Sequence, residues 1–313
     1  MFTALRSTLR SSNALRAATM ARSYSMAPNV SRVVVIGSGQ MGGGIGQAAA
    51  QSGYDVTLVD MSQDILANNL KAIEKSLTRV AKKKSGTEAE SFVKDIMSRI
   101  SVSTSAPEAV ADADIVIEAI VENLDVKRKL WADLDKAAKK STIFASNTSS
   151  LAIGDMATVT ERQDRFCGLH FFNPVSVMKL VEVIKTDKTS EETNTTMMQF
   201  GESLNKRCVQ CTDTPGFIVN RLLVPYLMEA IRLLERGEAT KQDIDAGMKL
   251  GAGHPMGPFQ LADYVGLDTI KFIMDGWHAK YPEDPLFNPS PLLTKLVEDG
   301  HHGVKTKQGF YEY

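Results

Sequence analysis

A histidine and a carboxylate lie twelve positions apart in an otherwise apolar stretch of this chain. His170 stands in Leu-His-Phe-Phe, and Glu182 stands in Leu-Val-Glu-Val. An imidazole exchanges its proton near neutral pH, and a carboxylate beside it would orient the ring and favour its charged form. We therefore interpret His170 and Glu182 as a proton-transfer pair, although a histidine in an apolar stretch is more often a satisfied core residue.

A glycine-rich motif in the N-terminal half is typical of a dinucleotide-binding site. An apolar run ends at Gly37, a small-residue helix follows Gly42, and a second apolar run ends at Asp60. Gly37 permits a tight turn, Gly39 lets backbone N–H groups approach a pyrophosphate, and Gly42 lets the helix lie close to the strand. Asp60 would accept hydrogen bonds from the adenosine ribose, which favours NAD over NADP.

Further apolar runs predict strands that end in polar residues. Residues 115–120 lead to Glu122, and residues 143–150 contain Ser149. Ligands bind at the carboxyl ends of parallel strands, so these residues fall where cofactor and substrate should meet. Ser149 could also cap the following helix, and both interpretations stay open.

The segment between Asp60 and residue 115 is too long for one crossover helix. Apolar residues recur at helical spacing over residues 66–80 and again over residues 89–100, which predicts a helical hairpin. Three successive lysines, from Lys82 to Lys84, stand at its tip. They indicate either a solvated helix end or a clamp for a phosphorylated ligand tail.

The C-terminal third carries helix signals without strand signals. A long helix should begin near residues 213–217, run to Glu235, and kink or break at Pro225. Further helices are predicted over residues 241–250, 258–275 and 291–298.

The predicted fold class is therefore α/β. It combines a Rossmann-type doubly wound sheet (residues 27–213) that holds a helical-hairpin insertion with an all-α C-terminal domain (residues 214–313). We expect the helical domain to form a homodimer; the alternative is that it only covers its own cleft.

The first 26 residues differ in composition from the rest. Four arginines occur there, and no acidic residue precedes Asp55. This composition predicts a mitochondrial transit peptide, because the arginines interrupt every possible apolar core of a secretory signal.

Composition gives no reason to expect other partners. The formal net charge is −1 and the charged residues are spread along the chain, which does not favour nucleic acid as a partner. No apolar run is long enough to span a bilayer. Three cysteines are too few for a disulfide framework. The Cys208-x-x-Cys211 spacing favours an apolar strand over a redox or zinc site, and no metal site is predicted.

Separated motifs of the chain together resemble one family. The motifs are Val-Ile-Gly-Ser-Gly-Gln-Met-Gly at 35–42, Glu-Ala-Ile-Val-Glu-Asn at 118–123, Phe-Ala-Ser-Asn-Thr-Ser-Ser at 144–150, Leu-His-Phe-Phe-Asn-Pro at 169–174 and Asp-Thr-Pro-Gly-Phe-Ile-Val-Asn-Arg at 213–221. From residue 31 to residue 313 the chain resembles the short-chain L-3-hydroxyacyl-CoA dehydrogenases. These are NAD-dependent enzymes of fatty-acid β-oxidation in the mitochondrial matrix.

The resemblance implies roles for individual residues. His170 is the catalytic base, Glu182 is its partner, and Ser149 and Asn220 lie beside the reacting carbon and its oxygen. CoA contacts Ser76 and Lys83, which favours the clamp interpretation of the lysine tip. NAD contacts the following residues: Gly37, Ser38, Gly39, Gln40, Met41, Gly42, Asp60, Glu122, Lys127, Ser149, Asn173 and Lys305. The chain departs from the family at Ser38, where glycine is common, and in the loop after Lys84, which is shorter.

The implied reaction oxidises L-3-hydroxyacyl-CoA to 3-oxoacyl-CoA. His170 takes the hydroxyl proton while hydride leaves the same carbon for NAD. One alternative is an L-gulonate or other hydroxyacid dehydrogenase of similar fold; another is a non-catalytic, crystallin-like NAD-binding protein. The lysine tip favours a CoA ester over a free acid, and the complete catalytic set favours an enzyme.

Overall fold

The computed structural model describes residues 26–27, 29–82 and 86–313. Residues 1–25 of the predicted transit segment, and Lys83 and Lys84 of the lysine tip, lie outside the described residues. The chain divides into two compact units. The first extends to Thr148 and continues over Ile153–Gln210; the second comprises Ser149–Ala152 and Cys211–Tyr313.

The first unit is built on an eight-stranded sheet. Its strands are β1 Arg32–Ile36, β2 Asp55–Val59, β3 Ile100–Ser103, β4 Ile115–Glu118, β5 Ile143–Ser146, β6 Phe166–Phe171, β7 Leu180–Lys185 and β8 Arg207–Thr212. Their order is β3-β2-β1-β4-β5-β6-β7-β8. The pairs among β1 to β6 are parallel, and β6 pairs with β7 antiparallel. The order confirms the predicted doubly wound sheet and brings the carboxyl ends of β1, β4, β5 and β6 to one edge.

Helices connect these strands. They are α1 Gln40–Gln51, α2 Gln63–Ala81, α3 Gly86–Ser98, α4 Ala106–Val110, α5 Leu124–Ala137, α6 Ile153–Ala157 and α7 Glu191–Ser203. Helices α2 and α3 pack on each other, which confirms the predicted hairpin. Buried Leu66, Ile73 and Leu77 of α2 belong to the core of the sheet unit, so burial explains their helical spacing. The Asn123 side chain caps α5 by accepting from the Val126 N–H.

The second unit is helical, as predicted. It contains α8 Val219–Glu235, α9 Lys241–Gly251, α10 Pro258–Val265, α11 Leu267–Lys280 and α12 Pro291–Glu298. Its core gathers Met228, Phe259, Ile270 and Trp277 with other buried apolar side chains.

Some predicted helix limits are wrong. Helix α8 begins at Val219 because Gly216 and Phe217 have φ angles of 78° and 54°, in the left-handed region that a right-handed helix cannot contain. The same helix continues through Pro225 without a break. The helix predicted over residues 258–275 is two helices, because Gly266 between them has a φ of 105°.

The predicted end of the hairpin is also wrong. Helix α3 ends at Ser98, and Ile100 begins β3, where it pairs with Val56 of β2. Ile96 and Ile100 have helical spacing in the sequence, but they belong to two different elements. Pairing with a neighbouring strand outweighs a local pattern of this kind.

Candidate active site

The two residues of the predicted proton-transfer pair are in contact in the structure. His170 and Glu182 lie opposite each other on β6 and β7, and His170 Nδ1 is 2.7 Å from Glu182 Oε2. Glu182 is fully buried and His170 is 5% exposed. Because an ionised carboxylate only accepts hydrogen bonds, Nδ1 is the donor and Nε2 holds the lone pair. Phe172 packs on the imidazole with the ring centroids 4.5 Å apart.

The loop between these two strands is fastened on both sides. Gln40 Nε2 donates to Asn173 Oδ1 at 3.1 Å, which joins the loop to the start of α1. Lys206 Nζ donates to the carbonyl oxygens of Val175 and Met178, the latter at 2.7 Å. Burial lowers the pKa of Lys206 below its usual value. The loop thereby brings together Gln40 and Asn173, two residues for which the resemblance implies contact with NAD.

The glycine-rich motif forms a turn that excludes side chains at two positions. Gly37 has a φ of 95°, and a Cβ there would lie 2.5 Å from the Ala119 carbonyl oxygen. A Cβ on Gly42 would lie 1.8 Å from the Gly37 carbonyl oxygen. Gly39 differs, because among the described residues no atom outside its two chain neighbours lies within 4 Å of a Cβ built on it. Protein packing therefore explains Gly37 and Gly42 but leaves Gly39 facing open space.

The start of α1 has donors suited to a pyrophosphate. Its N-cap residue is Gly39, which has no side chain to cap the N–H groups of the first turn. Those groups carry the positive end of the helix dipole. Asp60 accepts from the Ser38 N–H at 2.8 Å, which places an acid beside the turn. Donors for phosphate and an acceptor for ribose therefore lie together, and these residues fit NAD.

Glu118, at the end of β4, is the centre of a buried polar network. It is fully buried and accepts from Lys127 Nζ at 2.7 Å and from Ser146 Oγ at 2.6 Å. Lys127 is 1% exposed and lies 3.0 Å from Glu122 Oε2. Glu122 in turn accepts from Thr148 Oγ1. The network joins the carboxyl ends of β4 and β5 to the first turn of α5.

The second unit holds three of the predicted site residues. Asn220 Nδ2 donates to the Ser149 carbonyl oxygen at 3.3 Å, so the structure brings these two half-buried residues together. Lys305 Nζ lies 2.5 Å from Asp268 Oδ2. Burial acts to raise the pKa of Asp268, but the hydrogen bond and charge of Lys305 hold that pKa below its usual value.

The residues predicted to bind CoA are only partly described. Ser76 is half-buried on α2. Lys83 lies outside the described residues, so its role stays a prediction.

The Cys208-x-x-Cys211 segment lies in β8, which confirms the strand interpretation. Burial, aided by the negative charge of Glu202 and opposed by Arg207, raises the pKa of Cys208 to about 12. The thiol is therefore protonated at neutral pH, unlike a redox-active cysteine. Among the described residues, no three His, Cys, Asp or Glu side chains are grouped to hold a metal ion, and no helix is long and apolar enough to cross a membrane.

Sequence reasoning missed two residues of this site. Glu118 carried a signal: it ends an apolar run, and Lys127 shares a helix face with buried Trp131 and Leu134, so a lysine on that face needs an acidic partner. Asn69 carried no such signal. Its Nδ2 donates to the carbonyl oxygens of Ser38 and Gly39, yet in sequence it is one polar residue beside another.

Similarity to known proteins covers nearly the whole described chain. Residues 32–214 match the family described as 3-hydroxyacyl-CoA dehydrogenase, NAD binding domain, and residues 216–313 match its C-terminal domain. The hydroxyacyl-coenzyme A dehydrogenase, mitochondrial, of Homo sapiens is 60% identical over 287 residues, which cover 91% of either chain. A probable 3-hydroxybutyryl-CoA dehydrogenase of Bacillus subtilis is 46% identical over 91% of this chain and 98% of its own. The crystal structure of (S)-3-hydroxybutyryl-CoA dehydrogenase from Ralstonia eutropha has a TM-score of 0.86 at 41% identity, with coverage of 91% and 99%.

The doubly wound sheet, the glycine-rich turn and the match to an NAD-binding domain define an NAD-dependent oxidoreductase. The two family matches and the 60% identity to the human enzyme narrow this class to one family. The chain belongs to the 3-hydroxyacyl-CoA dehydrogenase family.

The buried network gives a stability prediction. Lys127→Met leaves the Glu118 carboxylate buried without its cation, and we expect a loss of about 3–5 kcal/mol in the free energy of unfolding. The double variant Glu118→Gln/Lys127→Met removes that stranded charge, so it should recover most of the loss. Urea unfolding of the wild type, both single variants and the double variant measures the coupling.

Lys140→Met is the control, because the Lys140–Glu161 ion pair is 82% exposed on both sides and should be worth about 0–1 kcal/mol. Additive effects of the two buried substitutions would contradict the network.

Proposed function

We propose that this protein oxidises the 3-hydroxyl of L-3-hydroxyacyl-CoA to the 3-oxo group with NAD, as a step of fatty-acid β-oxidation. The observation that carries the proposal is the 2.7 Å contact between His170 Nδ1 and Glu182 Oε2 at the carboxyl end of β6. Family membership supplies the substrate class, and the glycine-rich turn supports NAD as the oxidant.

His170 is the general base in this proposal. Because Nδ1 donates to Glu182, Nε2 is the atom that takes the proton from the 3-hydroxyl. The imidazolium formed in this step is stabilised by the buried carboxylate, which also keeps the ring in the required tautomer. NAD, when bound, accepts the hydride that leaves the same carbon. In the reverse direction the protonated ring acts as the acid.

Other residues position the reactants. Ser149 and Asn220, which are joined by a hydrogen bond, orient the oxygen that changes from hydroxyl to ketone. Ser76 and Lys83 hold the CoA moiety. We assign the cofactor to the residues that the resemblance names: Gly37, Ser38, Gly39, Gln40, Met41, Gly42, Asp60, Glu122, Lys127, Ser149, Asn173 and Lys305.

The burial of Lys127 refines that assignment. Its side chain is 1% exposed and lies between two carboxylates, whereas the Glu122 side chain is 28% exposed. Lys127 therefore acts on the cofactor through Glu122, by fixing the position of that carboxylate.

The same proposal includes two domains. Residues 27–213 bind NAD, and residues 214–313 form the helical part. Family matches that meet near residue 215 support this division.

We propose that the helical part forms a homodimer. Large apolar side chains are exposed on its helices, at 69% for Leu222, 87% for Leu250, 68% for Tyr264 and 59% for Phe272. Exposed apolar area of this kind marks association surfaces. Light scattering of the purified protein should give the mass of two chains; the mass of one chain would contradict this proposal.

We propose that the protein works in the mitochondrial matrix. The first 26 residues have the composition of a transit peptide, and the similar human enzyme is named as mitochondrial. In an import assay with isolated mitochondria, the full chain should become protease-protected inside the inner membrane. A chain that starts at residue 27 should stay outside, and its equal import would contradict the proposal.

Removal of the base tests the proposed chemistry. His170→Gln should lower kcat for L-3-hydroxybutyryl-CoA by about 10²- to 10⁴-fold, because a positioned base is lost. NADH affinity should stay within about twofold of the wild type. Steady-state kinetics and NADH titration measure the two effects.

His301→Gln, a half-buried histidine of the helical unit, is the control and should keep wild-type turnover. Loss of NADH binding in His170→Gln would indicate a structural histidine. Wild-type protein that oxidises L-gulonate but not the CoA ester would refute the substrate assignment.

A further inference from the structure

Asn69 connects the helical hairpin to the glycine-rich turn. It lies on the second turn of α2, and its Nδ2 is 2.5 Å from the Ser38 carbonyl oxygen and 3.1 Å from the Gly39 carbonyl oxygen. The two hydrogens of one amide nitrogen thus serve two successive carbonyl groups of the turn. A reversed amide would place Oδ1 against both carbonyl oxygens, so the chemistry fixes the orientation of the side chain.

Two further observations show that the site is built around this amide group. A Cβ on Gly43 of α1 would lie 2.3 Å from Asn69 Nδ2, so the glycine makes room for the side chain. Asn69 Oδ1 is buried and has no hydrogen-bond partner among the described residues. An unpaired buried acceptor is unfavourable, and the position nevertheless holds an asparagine whose nitrogen is fully used.

The two carbonyl groups control the donors of the turn. Within a planar trans peptide group, the carbonyl of one residue and the N–H of the next point in opposite directions. A hydrogen bond that fixes the Ser38 carbonyl therefore fixes the Gly39 N–H, and one that fixes the Gly39 carbonyl fixes the Gln40 N–H. Asn69 draws both carbonyl groups towards α2, which aims both N–H groups away from α2.

We propose that Asn69 is a positioning residue for the cofactor: it holds the glycine-rich turn so that the N–H groups of Gly39 and Gln40 are aligned for the NAD pyrophosphate. This inference rests on the proposed role of the turn as the pyrophosphate site. Asn69 acts through the two peptide groups and not by contact with the reacting atoms.

The test compares a ligand that has a pyrophosphate with one that lacks it. Asn69→Leu keeps the shape of the side chain without its donors or any new charge. NADH affinity should fall about tenfold, equivalent to about 1.4 kcal/mol, while adenosine affinity stays within about twofold. Asn68→Leu is the matched control, because Asn68 is the exposed neighbour on the same helix and should leave both affinities unchanged.

A second variant keeps the test valid if Asn69→Leu folds poorly. In Gly43→Ala the added methyl group displaces the Asn69 amide, so the same selective loss of NADH affinity is expected. Equal weakening of NADH and adenosine, or NADH affinity like that of Asn68→Leu, would overturn the positioning role. Failure of the wild type to bind NADH would instead refute the proposed function.

Discussion

The hydrogen bond between His170 and Glu182 is the contact on which the rest of the site depends. A fully buried carboxylate is unfavourable unless it is paired, and the imidazole is the partner that β6 presents to it. The two residues stand opposite each other because β7 pairs with β6 in this antiparallel register. The register between β6 and β7 therefore sets the position of this pair.

Buried polar groups are also paired at the ends of the neighbouring strands. Apolar side chains fill the interiors of β4 and β5, and polar groups are collected where the strands end, with Glu118 and Ser146 hydrogen-bonded to each other. Lys127 supplies the cation that this buried carboxylate needs. Each buried charge thus has a partner from another element, so the network fixes the spacing of strand ends as well as their chemistry.

The sequence predicted features that depend on periodicity or on a motif with a mechanical reason. The strand–glycine–helix order and the hairpin are of this kind, because strand alternation and helix geometry determine them locally. The contact between His170 and Glu182 also needs the pairing of β6 with β7. The start of α8 was mispredicted since nothing in Thr-Pro-Gly-Phe indicates that Phe217 takes a positive φ. The contact of Asn69 with the glycine-rich turn could not be predicted, because the two carbonyl groups that it binds are distant in sequence. Only the folded chain brings them within reach.

The substitution Glu182→Gln tests the proposed role of Glu182, which is to make His170 an effective base. An amide is close in shape to the carboxylate but cannot stabilise the imidazolium or enforce the required tautomer. Catalytic efficiency with L-3-hydroxybutyryl-CoA and NAD should therefore fall by about 10²- to 10⁴-fold, with NADH affinity retained. Catalytic efficiency within about twofold of the wild type would contradict this role of Glu182.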